Sequence, residues 1–256
     1  MIITALALAA AVQQPRPEDT EQWTPVPPIV TPGPAISAPA PSDATVLLGA
    51  GTGLREWAAM DGAAAGWTVN KDGSVTVNKK AGNIQTRKTF GDYQLHLEWR
   101  VPSKITGEGQ GRGNSGLFMA SPGGGDAGYE LQIVDSYNNK TYVNGQAASI
   151  YKQSPPLANA MRAPGQWQTY DVVWHAPVFG AGGALQRPAR VTAFHNGVLV
   201  QDNFTLAGET AYIGKPAYHA HGRTPIKLQA HGDPSEPLSF RNIWVRELPA
   251  SAPTGN

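Results

Sequence analysis

The stretch from Tyr93 to Val101, YQLHLEWRV, alternates apolar and polar residues without a break. Tyr93, Leu95, Leu97, Trp99 and Val101 fall on one side of an extended chain, and Gln94, His96, Glu98 and Arg100 on the other. That two-residue period is the pattern of a half-buried strand. Nowhere does the chain sustain the i, i+3, i+4, i+7 apolar spacing over three turns that a packed helix needs. Further strands are expected at Ser115 to Ala120, Tyr129 to Asp135, Thr169 to His175, Arg190 to His195, Ile226 to His231 and Phe240 to Glu247. Lys71-Asp72-Gly73 within Trp67 to Asn78, and Asn196-Gly197 before Val198-Leu199-Val200, read as tight hairpin turns. With 29 Gly and 22 Pro among 256 residues as punctuation, the chain reads as one all-β domain, a sandwich or barrel.

The two ends lie outside that pattern. Residues 1–12, MIITALALAAAV, read as a signal-peptide core with Ala-x-Ala cleavage options at Ala7-Leu8-Ala9 or Ala9-Ala10-Ala11, although no Lys or Arg precedes the apolar run. Export, to the periplasm or beyond, is the corresponding expectation. Gln13 to Asp43 holds nine of the 22 prolines and reads as an extended linker, because proline lacks an amide donor and fixes φ. The folded domain is expected over residues 44–249, with 250–256 as a tail.

Charge and composition narrow the chemistry. Twenty Lys+Arg against 19 Asp+Glu leave a net charge of +1, so no basic footprint for nucleic acid exists, and no apolar run reaches the length of a membrane span. Without Cys there is no disulfide framework, Cys-ligated metal or thiol nucleophile. The glycine-rich run from Gly107 to Gly113 leads into a strand-like segment and not a helix, so it reads as a loop and not a phosphate cradle. Ser115 and Ser136 lack a nucleophile-elbow setting. His219-Ala220-His221 offers two imidazoles but no identifiable third ligand, so a divalent metal stays open and no cofactor is predicted.

Polar residues of one sheet face carry the functional signal. His96/Glu98/Arg100, Glu130/Gln132 and Lys227/Gln229/His231 place acids, amides, imidazoles and cations on alternate positions of three strands. As neighbours they would form a polar floor for a hydroxyl-rich ligand, with Tyr129, Tyr151, Trp167 and Tyr218 as stacking platforms. The alternative is a hydrogen-bonded solvated face. Glu130 and Asp135 differ by an odd number of positions, so a regular strand faces them apart and no glycosidase carboxylate pair is established.

The runs GNSGLFM (113–119) and YELQIVD (129–135), followed by PGQWQTY (164–170), FHNGVLV (194–200), PIKLQAHGD (225–233) and FRNIWV (240–245), occur in that order. Together they resemble the 3-keto-disaccharide hydrolase domain family, also described as 3-keto-glucoside 1,2-lyase/3-keto-2-hydroxy-glucal hydratase, over about Val46 to Leu248. The resemblance implies a concanavalin-like jelly-roll β-sandwich and a 3-keto-sugar substrate. It also implies removal of the C2 proton, loss of the C1 substituent and hydration of the resulting glycal. On that resemblance the base is Glu130 or Asp135, and His231 an acid/base. Arg100, Lys227 or His96 would steady the enolate, with Glu98 as an alternative partner of Arg100. Asn114, Gln132 and Gln229 would hydrogen-bond hydroxyls. A carbohydrate-binding module without catalysis and a conventional glycosidase are the competing readings. Oligomeric state is not legible.

Overall fold

The computed structural model describes residues 14–35, 37–49 and 51–249; the leader-like residues 1–12 and the tail 250–256 lie outside them. Fifteen strands are present among the described residues. The first six are β1 (Thr45–Leu48), β2 (Trp57–Ala59), β3 (Thr68–Val69), β4 (Val75–Thr76), β5 (Ile84–Thr86) and β6 (Tyr93–Arg100). β7 (Ser115–Phe118), β8 (Glu130–Ile133), β9 (Gln168–His175), β10 (Val178–Phe179) and β11 (Leu185–Arg187) follow. β12 (Arg190–His195), β13 (Val198–Thr205), β14 (Lys227–Leu228) and β15 (Ser239–Glu247) complete the set.

They form a larger sheet in the order β13-β12-β9-β6-β15-β4-β3, with β1 also on β15, and a smaller sheet in the order β2-β5-β14-β7-β8. Every strand pair of both sheets is antiparallel. Strand β6 buries Tyr93, Leu95, Leu97 and Trp99 completely, the face the two-residue period assigns to the core. Their neighbours Tyr170, Val172 and Trp174 on β9 pack with Leu117, Leu131 and Ile133 of the smaller sheet in one apolar cluster. Two tyrosines bridge the layers: Tyr93 Oη donates to the Met119 carbonyl at 2.6 Å and Tyr170 Oη to that of Gln132 at 2.7 Å. The molecule is an all-β jelly-roll sandwich. Asn196 (φ 53°) and Gly197 (φ 81°) form the turn between β12 and β13, both in the left-handed region that this hairpin requires.

Two expectations change. Strand β14 is two residues long, not six. Beyond it Gln229 N still reaches the Gly116 carbonyl, but Ala230 N turns to the side chain of Asn83, which ends the ladder. The proline-rich stretch is extended, as its composition demands, yet it is no free spacer. Val30 N donates to the Asn159 carbonyl, Asn159 N to that of Pro28, and Arg162 to that of Gly33. Further on, Asn242 and Trp244 both donate to the Ala38 carbonyl. Residues 14–35 and 37–43 therefore run as a strap over the sandwich, held through backbone carbonyls that proline leaves intact.

Candidate functional site

Paired residues across an antiparallel ladder share a face. Gly116 opposes Gln132, Phe118 opposes both Glu130 and Lys227, and Lys227 opposes Gln85. The outer face of the smaller sheet thus carries Glu130, Gln132 and Lys227 in adjacent rows. Over β7 and β8 lies a cavity of about 610 Å³. Glu130, Gln132 and Gln229 line it from the sheet, and Gln110, Gly111 and Asn114 from the glycine-rich loop. Tyr142, Tyr151, Thr210 and Tyr212 line it from the loops above, while Asp126, His231 and Asp233 lie at its sides. Glu21 comes from the N-terminal strap.

Glu130 is 5% exposed, and no group among the described residues hydrogen-bonds its carboxyl. Burial pushes it up to about 8, repulsion from the Asp126 carboxylate adds to the rise, and the Lys227 ammonium offsets part of it. Gly116 makes the space for it: a Cβ there would run into Glu130 Oε1. Lys227 does not reach the cavity. It is fully buried, donates to the Gly125 and Ala127 carbonyls at 2.7 and 2.8 Å, and lies 3.8 Å from the centre of the Phe118 ring. Its desolvation draws the ammonium down to about 8 against the pull of Asp126, Glu130 and Glu209. It is a buried cation beneath the floor and not a hand for substrate.

The amides form a connected array. Gln132 Nε2 donates to Gln110 Oε1 at 2.9 Å and to Asn114 Oδ1 at 3.2 Å, and Gln229 Nε2 to Asp126 Oδ1 at 3.1 Å. Gln132 Oε1 and Gln229 Oε1 are themselves sealed from solvent and have no hydrogen-bond partner among the described residues. Above them Tyr142 and Tyr151 share a hydrogen bond of 2.7 Å between their hydroxyls. Burial raises both phenols, so both stay protonated; one proton is used in their shared bond and the other is free to donate.

His231 sits at the cavity side. Its Nδ1 accepts from Asp233 N at 3.1 Å and lies 3.1 Å from Asp233 Oδ2. One nitrogen cannot do both at once: without a proton Nδ1 accepts the amide, and with a proton it donates to the carboxylate. Asp233 is held at about 2, its burial overcome by His231, Ser235 and Lys79, so the counter-charge is always present.

The remaining sequence-derived candidates lie elsewhere. Asp135 is fully buried and paired with Arg112 at 2.8 Å, and it caps the turn at Tyr137, so it is structural and does not line the cavity. The odd spacing from Glu130 separates the two as a regular strand requires. His96, Glu98 and Arg100 share a face but on β6 of the other sheet. His96 bridges Asp171 (2.7 Å) and Glu98 (3.4 Å) and stacks on Trp244. Burial opposes its charge, yet the two carboxylates hold it up at about 9. Glu98 is buried too, but His96, Asn242, Ser37 and Arg241 keep it down at about 2. Arg100 and Arg241 flank the Trp167 ring at 4.4 and 4.1 Å. This network ties the strap to the larger sheet.

Of the four stacking candidates only Tyr151 lines the cavity. Tyr129 is core, Trp167 belongs to the arginine cluster, and Tyr218 bonds Ala189 and Leu206. Residues not anticipated are Glu21, Gln110, Asp126, Tyr142, Thr210 and Tyr212, nearly all on loops without periodicity. His219 pairs with Glu209, and His221 meets Tyr129 Oη at 3.0 Å, so the two imidazoles diverge. No group of three His, Asp or Glu among the described residues converges as a metal site would.

Comparison with known proteins adds three findings. Residues 43–246 match the model of the 3-keto-alpha-glucoside-1,2-lyase-like domain. A crystal structure of a candidate glycosyl hydrolase from Parabacteroides distasonis ATCC 8503 is 51% identical, with a TM-score of 0.78, covering 96% of this chain and all of that one. Two further candidate glycosyl hydrolases of that organism share the fold at 19% and 18% identity. Their TM-scores are 0.58 and 0.56, with 81% and 80% of this chain and 94% and 99% of theirs covered. A search of curated proteins gave no match.

Proposed function

The chain belongs to the 3-keto-alpha-glucoside-1,2-lyase-like domain family, and on that premise we propose that it is a carbohydrate-active enzyme acting on glycosides oxidised at C3. The observation that carries this reading is Glu130: a desolvated carboxyl, with no hydrogen-bond partner among the described residues, in an amide- and tyrosine-lined cavity. A ketone at C3 acidifies the C2 proton, and a carboxylate of such raised affinity for protons is a matched base for it.

Glu130 takes the C2 proton, and the electron pair passes into the C3 carbonyl as an enolate. A hydroxyl of the Tyr142–Tyr151 pair donates to that oxygen. The enolate then expels the C1 substituent, whose oxygen receives a proton from His231 with Asp233 holding the ring. Water adds back across C1 and C2, placing hydroxyl on C1 and the proton on C2. Gln132 and Gln229 line the cavity as amide partners for the ring hydroxyls, and Asn114 braces Gln132. No oxocarbenium ion forms, so the spacing of a glycosidase carboxylate pair is not required.

Incubation with 3-keto-trehalose or 3-keto-lactose in D₂O tests this directly. The reading expects deuterium at C2, a glycal detectable by mass, and both abolished in Glu130→Gln. Equal turnover of the unoxidised disaccharides, or hydrolysis without C2 exchange, would sink it. The proposal extends to export, tested by whether the native chain is recovered outside the cytoplasm and begins after Ala9 or Ala11.

A further inference from the structure

The strap does more than cover the sandwich. Its residues 17–22, including the short 3₁₀ turn Pro17–Thr20, are fastened to the loop that bears Tyr142 and Tyr151. Gln22 N donates to Asn144 Oδ1 at 2.9 Å, Val143 N to the Gln22 carbonyl at 2.6 Å, and Asn144 Nδ2 to the Thr20 carbonyl at 2.9 Å. Lys152 Nζ donates to the Pro17 carbonyl at 2.6 Å and to that of Tyr212 at 2.8 Å, with the Tyr212 ring 4.7 Å away. Trp23 packs edge-on against Tyr142 at 6.1 Å between ring centres. Glu21 is thus gripped on both sides by backbone bonds, and its side chain lines the same cavity as Glu130.

The Glu21 carboxylate has no hydrogen bond or ion pair with any described residue. It is half-buried, whereas Glu130 is 5% exposed, so Glu21 stands nearer the mouth and Glu130 at the floor. A substrate whose C2 meets Glu130 must project its C1 substituent toward the mouth. Resting on the proposed elimination, we propose that Glu21 is a specificity-determining residue that accepts hydrogen bonds from hydroxyl groups of the leaving portion, selecting a polyhydroxylated leaving group over an apolar aryl one. A carboxylate accepts strongly from hydroxyls and gains nothing from an aryl ring that lacks donors.

The test compares wild type, Glu21→Ala and Glu21→Gln on 3-keto-trehalose and on 4-nitrophenyl 3-keto-glucoside. Loss of a hydrogen bond to a charged group corresponds to about a 10- to 100-fold fall in kcat/KM for the disaccharide, chiefly in KM. The aryl substrate should change by less than threefold, and the Gln variant should recover part of the disaccharide activity. Equal losses on both substrates, or no loss on either, overturn the assignment. If wild type turns over neither keto-sugar, the elimination reading fails by itself. Calorimetric titration of trehalose against methyl glucoside then decides the Glu21 assignment: weaker trehalose binding in Glu21→Ala alone supports it, and an unchanged preference overturns it.

Discussion

Replacing Glu130 by Gln should remove activity and strengthen the fold, and the second effect has a calculable pH signature. In the unfolded chain this carboxyl titrates at its ordinary 4.5; in the fold burial holds it up at about 8. Because the folded value is the higher one, the protonated carboxyl favours the fold. That contribution is complete below pH 4.5 and is lost as pH rises through about 8. At 1.36 kcal/mol per tenfold change in proton affinity, the easier ionisation of the unfolded chain costs the fold about 1 kcal/mol at pH 5, about 3 at pH 7 and about 4–5 at pH 8.5. Glutamine keeps the shape and never ionises, so the variant should escape most of this penalty. Urea unfolding of both proteins at pH 5 and pH 8.5 measures it, with the midpoints compared at equal slopes. The stability difference should widen by about 4 kcal/mol in favour of Gln between the two conditions. A pH-independent difference, or a variant that weakens as pH rises, would refute the claim that Glu130 is desolvated and unpartnered. Such a result would also remove the physical ground for its role as base.

Four other outcomes follow from the same geometry. Gly116→Ala should displace the Glu130 carboxyl and lower kcat about 100-fold while the chain still folds, since the end of a side chain gives way and not backbone. Asp135→Asn should destabilise by about 2–3 kcal/mol through the abandoned Arg112 charge and leave kcat/KM of the folded protein within twofold. His96 should remain protonated in an NMR titration until about pH 9. Its raised value stabilises the fold fully below pH 6.5 and no longer above about 9, so His96→Phe should destabilise by about 1–3 kcal/mol at pH 6 and much less at pH 10. Tyr142→Phe and Tyr151→Phe should each slow kcat about tenfold or more with little change in unfolding midpoint, as measured by steady-state kinetics and urea titration.

What could be read from the chain depended on periodicity. Strand β6 and the Asn196-Gly197 hairpin were legible because alternation and turn chemistry are local. That Glu130, Gln132 and Gln229 share a face was legible by the same route, since parity along a strand tells which side chains lie together. Parity cannot tell which sheet a strand joins, so His96, Glu98 and Arg100 matched the polar pattern while standing on the other layer. Lys227 had the right face, yet its ammonium turned into carbonyls of the 125–127 turn. Tyr142, Tyr212 and Glu21 were illegible, because loops carry no period and their positions are set by contacts with distant residues. The strap misled for a related reason: proline excludes a ladder but keeps its carbonyl, and acceptors are what the domain's amides, Lys152 and Arg162 use.

The bonds that seat the segment around Glu21 join residues far apart in the chain, 122 positions for Gln22 with Asn144 and 135 for Lys152 with Pro17. A ribosome delivers the strap first and its partners much later. At synthesis rates of roughly 5–20 residues per second, the segment carrying Glu21 waits on the order of 10 s before its docking surface exists. Closing so long a loop has its entropy cost repaid only after both sheets stand. The earliest-made part of the cavity is therefore the last to be put in place, and a nascent or partly unfolded chain has a cavity with one wall missing. Recovery of disaccharide preference after refolding should lag behind recovery of the sandwich itself.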